Sequence, residues 1–252
     1  MCVGESDHLI GIISDIHGNQ EALDTAMAYL DEEGISTVYC LGDLVGYGQA
    51  ARYVVDTIRE RNIPCIQGNH DGNLRPPRDP RMREAAVVAL DIAMEQLEED
   101  QVDWLMNLNI ERRVDDAKMV LVHGALTGRD DYIINQEALV NNMKLLMTEY
   151  KDYRVCFFGH SHLNMIIGDG KVRTRFPETD VIDLDPAKQY LINVGSVGQP
   201  RDGNPLTSFG IYDPNRSRVH VIRLPYDIEK EQERMKAAGL PDKLWQRLAI
   251  GR

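Results

Sequence analysis

Apolar residues follow two rhythms along the chain. Short runs such as Leu9-Ile10-Gly11-Ile12-Ile13 and Val155-Cys156-Phe157-Phe158 have the length of buried strands. Between such runs, apolar positions recur every three or four residues. Ala22, Leu23, Ala26, Met27 and Leu30 mark one helix, which Gly34 ends. Ala51, Val54, Val55 and Ile58 mark a second. Residues 37–41 read as a strand between these helices, and Cys65-Ile66 as a short third strand after Pro64. This β-α-β-α-β order predicts a parallel sheet with covering helices.

Residues 71–81 carry Pro76, Pro77 and Pro80 and read as a loop. A helix with Ala85, Val88, Ala89 and Ile92 on one face follows, then a strand at 119–122. Leu139, Met143, Leu146, Met147 and Tyr150 mark another helix before the strand at 155–158. Beyond it the chain turns β-rich. Segments 165–167 and 172–175 flank Gly168-Asp169-Gly170, a hairpin signal. A strand at 191–194 follows, 209–212 is set to pair with 218–224, and 227–252 is mostly helical. No repeat or low-complexity linker divides the pattern. It predicts one α/β domain over 1–252, with a helical insertion near 76–110 and a C-terminal hairpin plus helix near 206–252.

Charge changes the picture modestly. The 252 residues include 28 Lys+Arg and 40 Asp+Glu, a formal net charge of −12. Without a basic block, this balance argues against a long nucleic-acid polymer or an anionic lipid surface as partner. It leaves room for a phosphate substrate, because a metal can supply positive charge locally. No apolar run approaches the roughly 20 residues that span a bilayer, and residues 1–8 lack the pattern of a signal peptide. Cys2, Cys40, Cys65 and Cys156 form no CxxC pair. They read as reduced thiols, and the expected location is cytoplasmic. Nothing in the pattern fixes an oligomeric state.

The histidines carry the chemistry. His17, His70, His123, His160 and His162 each lie at or just past the C-terminal end of an apolar run, joined there by Asp15, Asp43 and Asn69. In open α/β sheets, ligands bind outside the carboxyl ends of the strands. Carboxylates, an amide and imidazoles without a thiolate suit a divalent ion such as Mn²⁺, Fe²⁺ or Zn²⁺. Asp15, His17, Asp43, Asn69, His123, His160 and His162 are too many for one ion. Two ions sharing a carboxylate, about 3.5–4 Å apart, would use them all. His8 and His220 are expected to have no role in the site.

Ser14-Asp15-Ile16-His17-Gly18, Gly42-Asp43, Gly68-Asn69-His70-Asp71, Val122-His123-Gly124 and Gly159-His160-Ser161-His162 resemble, in order, the five motifs of the calcineurin-like metallophosphoesterases. The resemblance implies a four-layer α/β/β/α sandwich of two mixed sheets flanked by helices. It implies one ion held by Asp15, His17, Asp43 and His162, and another by Asp43, Asn69, His123 and His160. Mn²⁺ is the first choice for both, with Fe, Zn, Ni or Co as alternatives. A hydroxide bridging the ions would attack phosphorus. His70 matches the family's non-ligand histidine, which contacts the transition state or protonates the leaving oxygen; Asp71 would orient it.

Departures narrow the class. The segment Gly42-Asp43-Leu44-Val45-Gly46-Tyr47-Gly48 lacks the arginine that follows this motif in the superfamily's protein Ser/Thr phosphatases, which also lack the second His of Gly-His-x-His. The chain looks more similar to compact bacterial and archaeal phosphodiesterases of broad or unknown substrate, and its own expected substrate is a small phosphate ester. Two alternatives are a phosphomonoesterase, including a protein phosphatase, and a non-catalytic interaction module on the same fold. Arg75, in a loop with Arg78, Arg81 and Arg83, and Arg201 are candidate substrate contacts. Tyr47 and Tyr132 follow metal motifs and are expected to serve packing rather than stacking on a substrate.

Overall fold

The computed structural model describes residues 9–252. In chain order the elements are β1 (Ile10–Ile13), α1 (Gln20–Glu32), β2 (Thr37–Cys40), α2 (Ala51–Glu60), α3 (Asn69–Gly72), α4 (Glu84–Gln96), α5 (Glu99–Met106), β3 (Glu111–Val114), β4 (Met119–Val122) and α6 (Gln136–Thr148). There follow β5 (Val155–Phe158), β6 (Asn164–Gly168), β7 (Lys171–Arg173), β8 (Asp180–Asp183), β9 (Tyr190–Val194), β10 (Thr207–Asp213), β11 (Arg218–Leu224), α7 (Ile228–Ala237), α8 (Asp242–Gln246) and a 3₁₀ turn, Arg247–Ile250.

The strands form two mixed sheets, ordered β2-β1-β10-β11-β8 and β3-β4-β5-β9-β6-β7. Strands buried on both faces need apolar residues at every position, which is why the central runs look continuous rather than alternating. In β1, Ile10 and Ile12 face the second sheet, while Ile13 faces α1 and α2. In β4 and β5, Met119, Leu121, Val155 and Phe157 face the first sheet, and Val120, Val122, Cys156 and Phe158 face α6. Phe157 meets Tyr212 edge to face across the gap, with ring centroids 5.5 Å apart. Three apolar layers therefore separate four structural layers, as the resemblance implies. α7, α8 and the 3₁₀ turn close a smaller cluster against α4 through Ala85, Ala89, Met235, Leu244 and Leu248.

The parallel β-α-β-α-β sheet expected at the N-terminus is corrected. Only β1 and β2 pair in parallel, and β10 pairs antiparallel with β1 on its other side. The expected third strand shrinks to one bridge between Cys40 and Cys65. Pro64 has no N–H to donate, and Gly68 already caps α3, so too few residues remain for a ladder. The Gly168-Asp169-Gly170 hairpin joins β6 to β7. Cys40, Cys65 and Cys156 are buried free thiols. Cys2, His8 and the N-terminal segment weighed as a signal lie outside the described residues. Among those described, no helix is long and apolar enough to cross a membrane.

Glu231 of α7 is fully buried. Burial pushes its carboxyl up to about 7 from 4.5, against the pull of the Glu21 backbone amide and Arg234. The folded state thus holds this proton where the unfolded chain releases it, so stability falls as pH rises from about 4.5 through 7. Glu231→Gln should raise the melting temperature at pH 8 and change it little near pH 4.5. An equal shift at both pH values would remove this assignment.

Candidate metal centre

The predicted residues converge. Asp15 and His17 leave the end of β1, Asp43 that of β2, His123 that of β4, and His160 and His162 that of β5, while α3 carries Asn69 and His70. Five of these residues sit in the left-handed region: Asp15 (φ 52°), His17 (50°), Asp43 (55°), His160 (63°) and His162 (57°). That conformation costs roughly 1–2 kcal/mol per residue and tends to cluster at functional sites. Backbone bonds between the turns hold it. Asp15 N–H donates to Gly42 O (3.0 Å), His17 N–H to Asp43 O (2.9 Å) and Gly159 N–H to His123 O (2.7 Å).

Each of three imidazoles has one nitrogen fixed by the backbone. His17 Nδ1 donates to Val45 O (3.0 Å), His123 Nδ1 to Leu41 O (2.7 Å) and His162 Nδ1 to Gln199 O (2.6 Å). A carbonyl only accepts, so these nitrogens carry the protons. In the neutral rings Nε2 is then a bare lone pair. Yet His17 Nε2 and His162 Nε2 face each other at 3.1 Å. Two lone pairs at that distance require a positive charge between them, as a proton or a metal ion. Asp15 Oδ1 lies 3.2 Å from His162 Nε2. Asp43 Oδ2 lies 3.5 Å from His17 Nε2 and 3.4 Å from His123 Nε2. His123 Nε2 is also 3.3 Å from Asn69 Oδ1. The ligating atoms of Asp15, His17 and His162 lie within 4.8 Å of one another, as do those of Asp43, His123 and His160.

The electrostatics call for cations. Burial opposes the charges of Asp15 and Asp43, but His162 and His123 outweigh it, and both carboxyls stay below the usual range. Burial pulls His17 and His162 down, His160 to about 3 and His70 to about 4. At His123 burial is overcome by Asp43 and Asp15, which push it up to about 10. The pocket attracts positive charge while most of its imidazoles resist protonation. Buried His160 Nε2 has no hydrogen-bond partner. This donor set fits divalent ions.

Asp71 corrects an expectation. It accepts backbone N–H bonds from Asp43 (2.8 Å), Leu44 (2.9 Å) and Gly68 (2.9 Å), with a longer one from Val45 (3.4 Å). Its carboxylate shapes the turn that carries Asp43 and does not orient His70. Arg75 is likewise engaged elsewhere, with Asp103 at 2.9 Å and with Glu99 on α5. The tyrosines pack against the site's own histidines. Tyr47 contacts His17 and His70, with centroids 4.6 and 4.5 Å apart, and Tyr132 stacks on His160 at 3.8 Å. Arg201 lies over Tyr47, its Cζ 5.4 Å from the ring centre. His220 pairs in β11 opposite Ile211, outside the cluster.

The calcineurin-like phosphoesterase superfamily domain matches residues 9–217. The chain belongs to this superfamily. It is 32% identical to an uncharacterized protein of Methanocaldococcus jannaschii, over 97% of this chain and 98% of that one. A metallophosphoesterase from Sphaerobacter thermophilus is similar in structure, with TM-score 0.82, 32% identity and coverage of 97% and 99%. A hypothetical protein from Pyrococcus horikoshii OT3 shares the fold at TM-score 0.77 and 21% identity, covering 97% and 98%.

Within this phosphoesterase, sequence reasoning missed the groups that support the ligands. Ser14 Oγ donates to Asp15 Oδ2 (2.6 Å), and Ser196 Oγ to the Asp15 carbonyl (2.8 Å). Asn193 Nδ2 donates to Gly159 O (2.7 Å). Single Ser and Asn residues have no spacing to reveal them, although Asn193 and Ser196 stand in a segment whose glycines signal a turn. Gly46 is also needed: at φ +83°, an added Cβ would overlap His70 Nδ1. Gly46→Ala should therefore lower turnover about 100-fold while leaving bound metal unchanged, read by rate assays beside elemental analysis. Loss of metal in step with rate would show that His70 is not the group displaced.

Proposed function

We propose that this protein is a two-metal phosphodiesterase acting on small or nucleotide-type substrates. One observation carries the reading: a single carboxylate oxygen, Asp43 Oδ2, faces the Nε2 atoms of both His17 and His123. Asp15, His17, Asp43 and His162 would hold one ion, and Asp43, Asn69, His123 and His160 the other. Mn²⁺ is the first candidate, with Fe, Zn, Ni or Co as alternatives. When bound, such a pair makes water acidic enough to act as a nucleophile and neutralises phosphoryl charge.

The chain's own residues supply the rest. Three backbone carbonyls hold the imidazoles so that Nε2 points into the site. His70 has its backbone N–H on Asp43 Oδ1 (2.8 Å) and its buried Nδ1 without a partner. In this reading His70 donates a hydrogen bond to the departing oxygen. The exposed part of Tyr132, stacked on His160, offers an ester group a flat apolar face. The missing arginine in Gly42–Gly48 favours a diester, which bears less charge than a monoester. The buried free thiols support a reducing, cytoplasmic setting.

The phosphomonoesterase reading stands second. Arg201 favours it, because a guanidinium beside Tyr47 can meet the extra charge of a monoester.

Metal-stripped protein should be inactive toward bis-p-nitrophenyl phosphate and regain activity with Mn²⁺. The diester should be preferred over p-nitrophenyl phosphate. Full activity after complete chelation would refute the metal mechanism, and a monoester preference would promote the second reading. His70→Ala should lower kcat by about 10²–10⁴ with metal content unchanged; an unaltered kcat would remove His70 from the chemistry.

A further inference from the structure

Most arginines of this acidic chain are paired with carboxylates. Arg52 meets Glu98 at 2.6 Å, Arg59 meets Asp100 at 2.9 Å, Arg61 meets Asp31 at 2.9 Å and Arg78 meets Asp91 at 2.6 Å. With 40 acidic residues against 28 basic ones, pairing is the default. Among the exceptions is Arg201, whose backbone N–H donates to His162 O at 3.2 Å beside the metal centre. Among the described residues, no carboxylate side chain lies within 4.0 Å of the guanidinium of Arg201, Arg247 or Arg83. Arg201 donates to the neutral Gln199 Oε1 (2.9 Å) and lies over the Tyr47 face. Arg247 donates to the backbone oxygen of Arg252.

The two guanidiniums belong to one edge. Gly203 N–H, two residues past Arg201, donates to Gly251 O at 2.9 Å, which ties the Arg201 loop to the end of the 3₁₀ turn carrying Arg247. Tyr47 packs beside the cluster that holds Leu248 of that turn. Like charge from Arg201 and Arg83 reaches Arg247, adding to burial, and Arg201 acts on His70 and His162 as well. Tyr47 contacts the rings of His17 and His70 as well as the Arg201 guanidinium, and Arg201 N–H donates to His162 O at 3.2 Å.

We propose that Arg201 and Arg247, beside Tyr47 at the edge of the metal centre, form a subsite for a second phosphate group on the substrate. This rests on the phosphoesterase reading and narrows it. Two divalent ions offset by two carboxylates already exceed the charge of one diester. Further guanidiniums without a carboxylate side chain beside them fit a substrate with another anionic group a few bonds from the scissile phosphorus, such as a nucleotide bearing two phosphates. Unpaired guanidiniums hold phosphate oxygens in planar, often bidentate geometry.

The test is equilibrium titration of the Mn²⁺-loaded protein with thymidine 3′,5′-bisphosphate and with thymidine 5′-monophosphate. The bisphosphate should bind about tenfold more tightly, with the gap shrinking at high salt. Arg201→Gln and Arg247→Gln should each cut that ratio at least about threefold, and the double variant should abolish it. Equal affinities in the wild-type protein overturn the proposal without requiring any variant to fold. So does a ratio that survives the double substitution. If monophosphate with added inorganic phosphate reproduces the gain, the site holds a free anion and the substrate assignment falls. These ratios are read from binding, so absence of hydrolysis would defeat the activity reading and leave this one decidable.

Discussion

The structure turns on keeping Asp15 and Asp43 charged where almost no water reaches them. Both are at most 1% exposed. An isolated buried carboxylate would take up a proton. Protonated imidazoles could answer the charge, but burial works against that in all five and prevails in four. Divalent ions answer both needs, because neutral imidazoles bind them and carboxylates are neutralised by them. The site is therefore a balance in which protein charge and ligand charge are complementary, and its other features serve that balance.

One such feature is the set of left-handed residues. A turn that reverses within two residues of a strand end can deliver Asp15 and His17, or His160 and His162, to the same point. It does so at a conformational cost that a free loop would relax. Bonds between neighbouring turns prevent relaxation: the Asp15 turn leans on Gly42, the His17 turn on Asp43, and Gly159 on His123. Asp71 completes the arrangement by collecting the N–H groups of residues 43–45 and 68. A second carboxylate beside Asp43 works against its own ionisation, and burial with Asp43 pushes it up to about 7. Its four donors pull the other way. Its position is explained by the turn it shapes rather than by any step in catalysis.

Much of this was legible in the sequence because the signals repeat. The apolar runs exposed the central strands, and polar motifs at their ends exposed the seven candidate ligands. What escaped had no period to betray it. β3 is an edge strand of sequence Glu111-Arg112-Arg113-Val114, polar because one side meets solvent, and it lacks alternation. β8 is equally short and polar. Cys65-Ile66 reads as a strand because it is apolar, but Cys65 is buried in the cluster with α1 and α2 and Ile66 between the two sheets, not by a ladder. Asp71 was misassigned because adjacency to His70 suggested contact. Within a single helical turn, consecutive side chains diverge, and the carboxylate turned to the backbone instead. For Tyr47 and Tyr132 the sequence indicates packing, and only the fold shows that the rings they pack against are His17, His70 and His160.

The C-terminal segment explains why Tyr47 can matter. It stands at φ 60°, a strained position for an aromatic residue, and the strain must be held from outside its own turn. The cluster of Met235, Leu244 and Leu248 beneath it supplies apolar contact. On its other faces stand His17, His70 and the Arg201 guanidinium. The ring is thus fixed by the tail and in turn limits where two catalytic-edge histidines and a cation can move. Preorganisation of this kind matters most for an acidic protein binding an anion. The net field of −12 charges repels an anion at long range, so attraction has to act at short range. A tail that loosened would release Tyr47, and His17 and His70 would lose the ring that confines them.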